Sequence, residues 1–280
     1  MNKQANIRSP AVAGSFYPEK ENALSAMIQA YLDNCDTPTP ANKPVALIVP
    51  HAGYIYSGAV AASAYSQLIP FQEKISRVIL LGPSHRVPLA GIATSSANAF
   101  QTPLGTIPLD TDTIEQLNHL PFVQCNDEAH YYEHSLEVQL PFLQKILSSF
   151  SLVPLVIGQT EDQLVSELLE TIIHKKKGQD DNTLILISSD LSHYLDYERA
   201  KRCDHLTCKA IETLTAHHIH YEQACGLTGI AGMLLSAKKH QLQAKTLDLR
   251  NSGDTAGSKD RVVGYGAWAF FHKLPELFYK

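Results

Sequence analysis

Three histidines follow short runs of Val, Ile and Leu that end in turn-forming residues. Each run has the length and the β-branched content of a buried strand. Imidazole is a frequent metal ligand and changes its charge near neutral pH. Three such groups at equivalent strand ends predict a metal site or an acid–base site. The histidines are His51, His85 and His193, and the runs before them cover residues 44–50, 78–81 and 183–188.

The placement of these histidines after strands matters because open α/β sheets bind ligands outside the carboxyl ends of their strands. Loops that leave one edge of a sheet can bring side chains together despite their separation in sequence. We therefore predict that His51, His85 and His193 converge in one pocket. For any one of them taken alone, an ordinary loop histidine is the simpler interpretation.

A fourth histidine lies in residues 133–137 (EHSLE), which open a predicted helix. His134 and Glu137 are three residues apart, so they can share one face of the first turn. We predict that both face the pocket. The alternative is a purely structural role, in which the segment caps a helix that Pro141 then kinks.

Helical patterns separate the apolar runs and predict the elements that position these residues. The clearest helix covers residues 160–177, with apolar positions at helical spacing and Gly178 to end it. Alternating strands and helices predict an α/β fold with a central, mostly parallel or mixed sheet and helices on both faces. We expect residues 1–280 to form one domain. Further helices are predicted at 24–32, 58–68, 197–214 and 226–239, and late strands at 245–249 and 261–271.

The composition argues against several classes of protein. The net charge is −5 and the charged residues are spread along the chain, which gives little support for nucleic-acid binding. No apolar run is long enough for a membrane span, and residues 1–10 lack the apolar stretch of a signal peptide. The five cysteines are scattered, a pattern typical of reduced thiols in a cytoplasmic protein.

Several motifs, taken together and in order, resemble the Memo family, whose bacterial and archaeal members are called AmmeMemoRadiSam system protein B. The resemblance covers nearly the whole chain, and it implies radical SAM system proteins as partners. The motifs are AGSFYP (residues 13–18), PHAGYIYSG (50–58), LGPSH (81–85), EHSLE (133–137), SSDLSHY (188–194) and CG (225–226).

That family resembles the class III extradiol dioxygenases, the LigB-like enzymes that open catechol rings with non-haem Fe(II). The resemblance implies metal ligation by His51 and His85 and an acid–base role for His193. The third ligand is a glutamate in the dioxygenases and a cysteine in some eukaryotic Memo proteins. Residues 250–255 are the corresponding stretch and contain neither, so Asp254 is the expected third ligand. Two histidines and one carboxylate suit Fe(II), with copper or zinc as alternatives.

Two functions remain open at this point. The first is a non-haem metal enzyme acting on a small oxidisable substrate in the cleft. In it, Asp190 orients His193, and His134 assists catalysis. The second is a non-catalytic protein that holds a metal, a peptide or a partner protein, because one scaffold can host both. The residues expected to contact the substrate are Tyr54, Tyr56, Glu137 and Ser189.

Overall fold

The computed structural model describes residues 6–174 and 182–273. Within them, a nine-stranded mixed sheet forms the centre of the molecule, with β11 paired to β12 beside the order β10-β12-β2-β9-β3-β8-β4-β7. A small sheet has the order β1-β5-β6. The strands are β1 (Ile7–Arg8), β2 (Ala46–Val49), β3 (Arg77–Pro83), β4 (Ile92–Thr94), β5 (Ala99–Thr102), β6 (Gly105–Pro108), β7 (Val123–Cys125), β8 (Ser151–Ile157), β9 (Thr183–Ser188), β10 (His193–Leu195), β11 (Leu242–Asn251) and β12 (Val262–His272).

The helices lie between these strands, as the sequence pattern predicts. The predicted helix 160–177 is present as Asp162–His174, and its predicted end at Lys175–Lys177 and Gly178 lies outside the described residues. The helices are α1 (Glu21–Asp33), α2 (Tyr54–Tyr65), α3 (Thr111–Leu117), α4 (Asp127–Tyr131), α5 (Leu140–Ile146), α6 (Asp162–His174), α7 (Tyr197–Glu212) and α8 (Leu227–Lys239). Short 3-10 segments cover Ser66–Lys74, Glu137–Gln139, Ala216–His218, Tyr221–Gln223 and Ser252–Asp254.

The central strands explain why the sheet is covered on both faces. β2, β9, β3 and β8 run parallel, and nearly all of their consecutive residues are buried. Successive side chains of a strand point to opposite faces, so both faces must be packed. Helices α1, α2 and α5 pack together, and α6 packs against α8. The predicted mixed α/β fold is confirmed.

Strand order decides which loops meet. β9 lies between β2 and β3 and pairs in parallel with each of them. The loops after these three strands therefore leave the same edge of the sheet side by side. His51 follows β2, His85 follows β3, and Ser188 ends β9 between them. Within the described residues, no helix is both long and apolar enough to cross a membrane.

Candidate metal centre

Three imidazoles converge at the carboxyl edge of the sheet. His51, His85 and His134 each offer one nitrogen, and these ligand atoms all lie within 4.8 Å of one another. The ring centroids are 5.1 Å apart for His51 and His85, 5.5 Å for His51 and His134, and 4.7 Å for His85 and His134. We call these three residues the histidine cluster. Its spacing suits ligands of one metal ion.

A serine fixes the tautomer of His51. The Ser188 hydroxyl donates its one hydrogen to the Ser135 carbonyl at 2.6 Å and accepts from the Gln139 side-chain amide at 2.8 Å. His51 Nδ1 lies 2.9 Å from the same oxygen, so Nδ1–H must be the donor of this third hydrogen bond. The proton of neutral His51 is then on Nδ1, and Nε2 keeps its lone pair for a ligand.

A glutamate fixes the tautomer of His85 in the same way. Glu133 accepts from the backbone N–H of His85 at 2.6 Å and from its Nδ1–H at 2.9 Å. Burial alone would raise the pKa of Glu133, but the hydrogen bonds from His85 and Ser135 hold it at about 2. The carboxylate is therefore ionised and leaves Nε2 of His85 free. A carboxylate behind a ligating histidine is a recurrent feature of metal sites.

His134 completes the cluster from the loop before α5. Its ring stacks on His85 and lies 4.8 Å from the Phe16 ring. Burial lowers the pKa of His134 to about 4, so its contact with Glu133 at 3.4 Å is not an ion pair at neutral pH. Among the described residues, its buried Nδ1 has no hydrogen-bond partner. A polar atom left in this state is consistent with a site that binds something the chain itself does not provide.

Low pKa values keep the imidazoles of His51 and His134 neutral. His51 is buried, and burial together with the neighbouring His85 and His134 holds its pKa well below the usual value. Neutral imidazoles are the form that binds metals. The three nitrogens, buried at His51 and open to solvent at His85, are backed by Ser188 and Glu133 and therefore fit a divalent metal ion.

A thiol also reaches the cluster. Cys225 Sγ lies 3.3 Å from Nε2 of His51, just before α8. Burial and the nearby Asp190 carboxyl raise the pKa of Cys225 to about 12. It is therefore a neutral thiol unless a metal takes the place of its proton. Residues 250–255 contain no cysteine, but the structure brings a thiol to the cluster from a different segment, the start of α8.

Asp190 and His193 flank the cluster on the side of β9 and β10. The buried Asp190 carboxylate accepts from the backbone N–H of His51 at 2.7 Å, which fixes the loop after β2. Burial raises the pKa of Asp190 to about 7, against the effect of this hydrogen bond. His193 is close enough for its charge and those of His51 and His85 to interact, and burial lowers its pKa. His193 is therefore within electrostatic range of the cluster, but the three nitrogens that lie within 4.8 Å of one another belong to His51, His85 and His134.

The family follows from comparison with known proteins. A sequence profile described as Memo-like protein matches residues 8–269. The chain belongs to the Memo family. A MEMO1 family protein of Aquifex aeolicus is 35% identical over 267 residues, which cover 92% of this chain and 97% of that protein. MEMO1 family proteins of Archaeoglobus fulgidus and Saccharolobus solfataricus are 34% and 36% identical, and each alignment covers 94% of this chain and 99% of the relative.

One solved structure shares the fold of this Memo family chain. It is the crystal structure of an uncharacterized protein, JW3007, from Escherichia coli K12. The TM-score is 0.53 at 13% sequence identity, and the match covers 81% of this chain and 99% of that one. At this identity the likeness concerns the fold alone.

In this Memo family chain, the structure does not bring Asp254 to the cluster. Asp254 is exposed and follows β11. Its carboxylate accepts from the Tyr197 hydroxyl at 2.5 Å and from the backbone N–H of Asn251 at 3.0 Å. These contacts stabilise the turn at the end of β11. The expected third ligand is therefore replaced by two nearer candidates, His134 and Cys225.

Two residues expected to contact substrate serve as internal supports instead. Tyr54 is buried and its hydroxyl donates to the Val138 carbonyl, because α2 begins four residues earlier than predicted and turns this side chain into the core. Glu137 is also buried, but it faces the N-terminal segment. It accepts from the N–H groups of Ala11 and Val12 and pairs with Arg8.

The other two residues expected to contact substrate differ from each other. Ser189 is buried, and its hydroxyl donates to the Asp190 carbonyl and accepts from the Gly226 N–H, which ties β9 to the start of α8. Tyr56 is 37% exposed and lies near Tyr265. Only Tyr56 of this pair leaves surface free for a ligand.

The sequence alone predicts no role for three residues of the site. Glu133, Cys225 and Ser188 all lie inside motifs of the family resemblance, but those motifs do not show which side chains they contact in space. Ser188 also ends a predicted strand, and nothing in its local sequence shows that it contacts His51. All three act through contacts between segments that are distant in the chain.

Proposed function

We propose that this Memo family chain is a metal-dependent enzyme of the oxidoreductase type, with Fe(II) at the histidine cluster and a small oxidisable substrate in the adjoining cleft. One observation carries the proposal. His51 and His85 have their Nδ1 protons committed to Ser188 and Glu133, so that both Nε2 lone pairs are available to one centre. Fe(II) at such a site would supply one-electron and Lewis-acid chemistry.

The chain's own residues supply the remaining functions. His193 is partly buried beside the cluster, and its lowered pKa keeps the imidazole neutral and able to accept a proton near pH 7. Its neighbour Tyr194 has a φ of 61°, a left-handed conformation that is uncommon for a residue other than glycine. Strained backbone of this kind is concentrated at functional sites. We assign His193 the acid–base role, with Asp190 holding the loop after β2.

The third metal ligand is His134 or Cys225. A ligand set of three histidines follows from the positions of their nitrogens. A thiolate follows from the 3.3 Å separation of Cys225 Sγ and His51 Nε2. The two sets have different preferences, because thiolate favours softer metals such as Cu(I) and Zn(II). The identity of the third ligand therefore also bears on the identity of the metal.

Metal content of single variants tests the proposal. His51→Ala and His85→Ala each remove a coordinate bond, and we expect them to lose Fe(II) that wild type retains through gel filtration under anaerobic, reducing conditions. His193→Ala should keep the metal, since losing a residue behind the ligands costs only about 10- to 100-fold in affinity. Comparing His134→Ala with Cys225→Ala identifies the third ligand. Wild-type protein that binds no divalent metal would refute the proposal.

A second candidate function is the binding of a peptide or a partner protein, including the radical SAM system proteins that the family resemblance implies. It is favoured by the exposed tyrosines Tyr131 and Tyr132, 61% and 64% exposed, beside the EHSLE segment. Tyrosine is enriched where proteins bind one another. The double substitution Tyr131→Ser and Tyr132→Ser should weaken partner binding and leave metal content unchanged. Equal binding by the variant would exclude this surface.

A further inference from the structure

A cavity of about 600 Å³ lies beside the histidine cluster, on the side of α8. It opens at the carboxyl ends of β3, β8 and β9, and the start of α8 forms one wall. Cys225 and Ser188 belong to its lining and also contact His51. A cavity of this size is typical of small-molecule sites. It is thus contiguous with the cluster through Cys225 and Ser188.

The lining combines apolar and polar groups but has no charge. None of the described residues that line the cavity carries a charged side chain. About half of the lining surface is apolar, and the other half comes from uncharged polar groups such as those of Gln159, Thr160 and Thr228. A ligand with a charge buried here would lose its hydration without gaining an ionic partner. The apolar lining residues are Leu81, Pro83, Val87, Pro88, Leu89, Ile157 and Ile187.

From these observations we infer that the cavity binds the body of an uncharged small molecule that has both apolar and polar surface, and whose polar end reaches Cys225 and the histidine cluster. The polar end rests on the proposed function. The selection for an uncharged body does not, because it depends on the cavity alone. The cavity thus determines substrate class, and the cluster determines chemistry.

The test uses two fluorescent probes of nearly equal size that differ in charge, a neutral sulfonamide of vicinal dihydroxynaphthalene and the corresponding ring sulfonate. Both are titrated into metal-free and Fe(II)-loaded full-length protein. We expect the neutral probe to bind at least about tenfold more tightly than the sulfonate in both forms, because of the cost of burying the anion. Equal or tighter binding of the sulfonate, or no binding of either probe, would overturn the inference.

Substitutions of Thr228, which lines the cavity, locate the binding. Thr228→Trp should fill the space and weaken the neutral probe at least about tenfold, without loss of metal. Lys238→Trp is the matched control, since it places the same side chain at an exposed position of α8. Thr228→Lys supplies a cation and should reverse the preference in favour of the sulfonate, a change that misfolding could not produce. Unchanged affinities in both Thr228 variants contradict the inference.

The two proposals fail in different ways. If the protein binds no metal but the neutral probe still enters and Thr228→Trp excludes it, the inference stands and the proposed function fails. If metal binds at the cluster and the probe preference is absent, the proposed function stands and the cavity inference fails.

Discussion

Glu133 and Glu137 are buried carboxylates four residues apart in the sequence, yet they stabilise different parts of the molecule. Glu133 accepts from His85 and from the N–H groups of the loop that carries His134. Glu137 accepts from Arg8, from Tyr17 and from the backbone of the N-terminal segment. The first is part of the candidate site and the second is an anchor of the fold.

The difference shows that sequence proximity and burial do not define a site residue. Both carboxylates accept several hydrogen bonds, which offset the free-energy cost of burying their charge. Only Glu133 accepts a hydrogen bond from a residue of the histidine cluster, His85. Glu137 instead fixes residues 8–17, including Phe16, whose ring covers His134. Its effect on the site is indirect.

Glu137→Gln should give the largest loss of stability among substitutions that separate the two roles. The change leaves the buried Arg8 guanidinium without its partner, and breaking a buried ion pair costs about 3–5 kcal/mol. Chemical denaturation measures the loss. The folded fraction should still bind metal. Loss of metal at unchanged stability would place Glu137 in the site.

Glu133→Gln should lower metal affinity more than it lowers stability, the reverse of what we expect for Glu137→Gln. The amide cannot accept from His85 as the carboxylate does, and we expect metal affinity to fall about 10- to 100-fold. Competition with a chelator of known affinity gives the change. If metal affinity stays at the wild-type value, the Glu133–His85 contact has no part in ligand orientation, and the comparison fails at its first member.

Asp204 extends the comparison to a buried carboxylate that accepts fewer hydrogen bonds than Glu133 or Glu137. It accepts from the Ser192 N–H, and burial raises its pKa from 3.8 to about 6. Because the folded state favours the protonated form, this side chain stabilises the fold below about pH 4, and the contribution is lost as the pH rises through 6. Asp204→Asn should therefore raise the free energy of unfolding by about 1–2 kcal/mol at pH 8. At pH 4 thermal unfolding should show no gain, and a gain that does not vary with pH would contradict this cause.

Asp254→Asn should have the smallest effect. The side chain is exposed, and substitutions of this kind usually change stability by about 0.5 kcal/mol or less. Metal content should equal that of wild type, measured beside the histidine variants. A fall as large as that of His51→Ala would restore Asp254 as a ligand and would require a rearrangement of residues 250–255.

The sequence predicted those parts of the fold and site that depend on local pattern. Apolar runs located the parallel strands, and the position of His51 and His85 after them was enough to predict that the two meet. The resemblance to the Memo family supported the same pair. Strand order brings them together, because β9 pairs with both β2 and β3.

The remaining parts depend on contacts that no local pattern contains. Tyr54, expected in the cleft, is instead the first residue of α2, and its side chain packs into the core, where its hydroxyl donates to the Val138 carbonyl. Asp254 was chosen because it was the nearest carboxylate in the aligned stretch, whereas Cys225 arrives from the start of α8. Both errors concern how distant segments pack.

The arrangement of Ser188 and Glu133 has a consequence for the rate at which the site could be loaded. Since the Nδ1 protons of His51 and His85 are already in place, neither ring has to flip or exchange tautomers when a cation arrives. Folding already offsets the free-energy cost of orienting these ligands, so the metal-free protein is preorganised for binding. We expect uptake to be limited by dehydration of the ion and by its entry to the cleft. Ser188→Ala should slow uptake more than it weakens the final affinity, because His51 must then be selected from a mixture of tautomers.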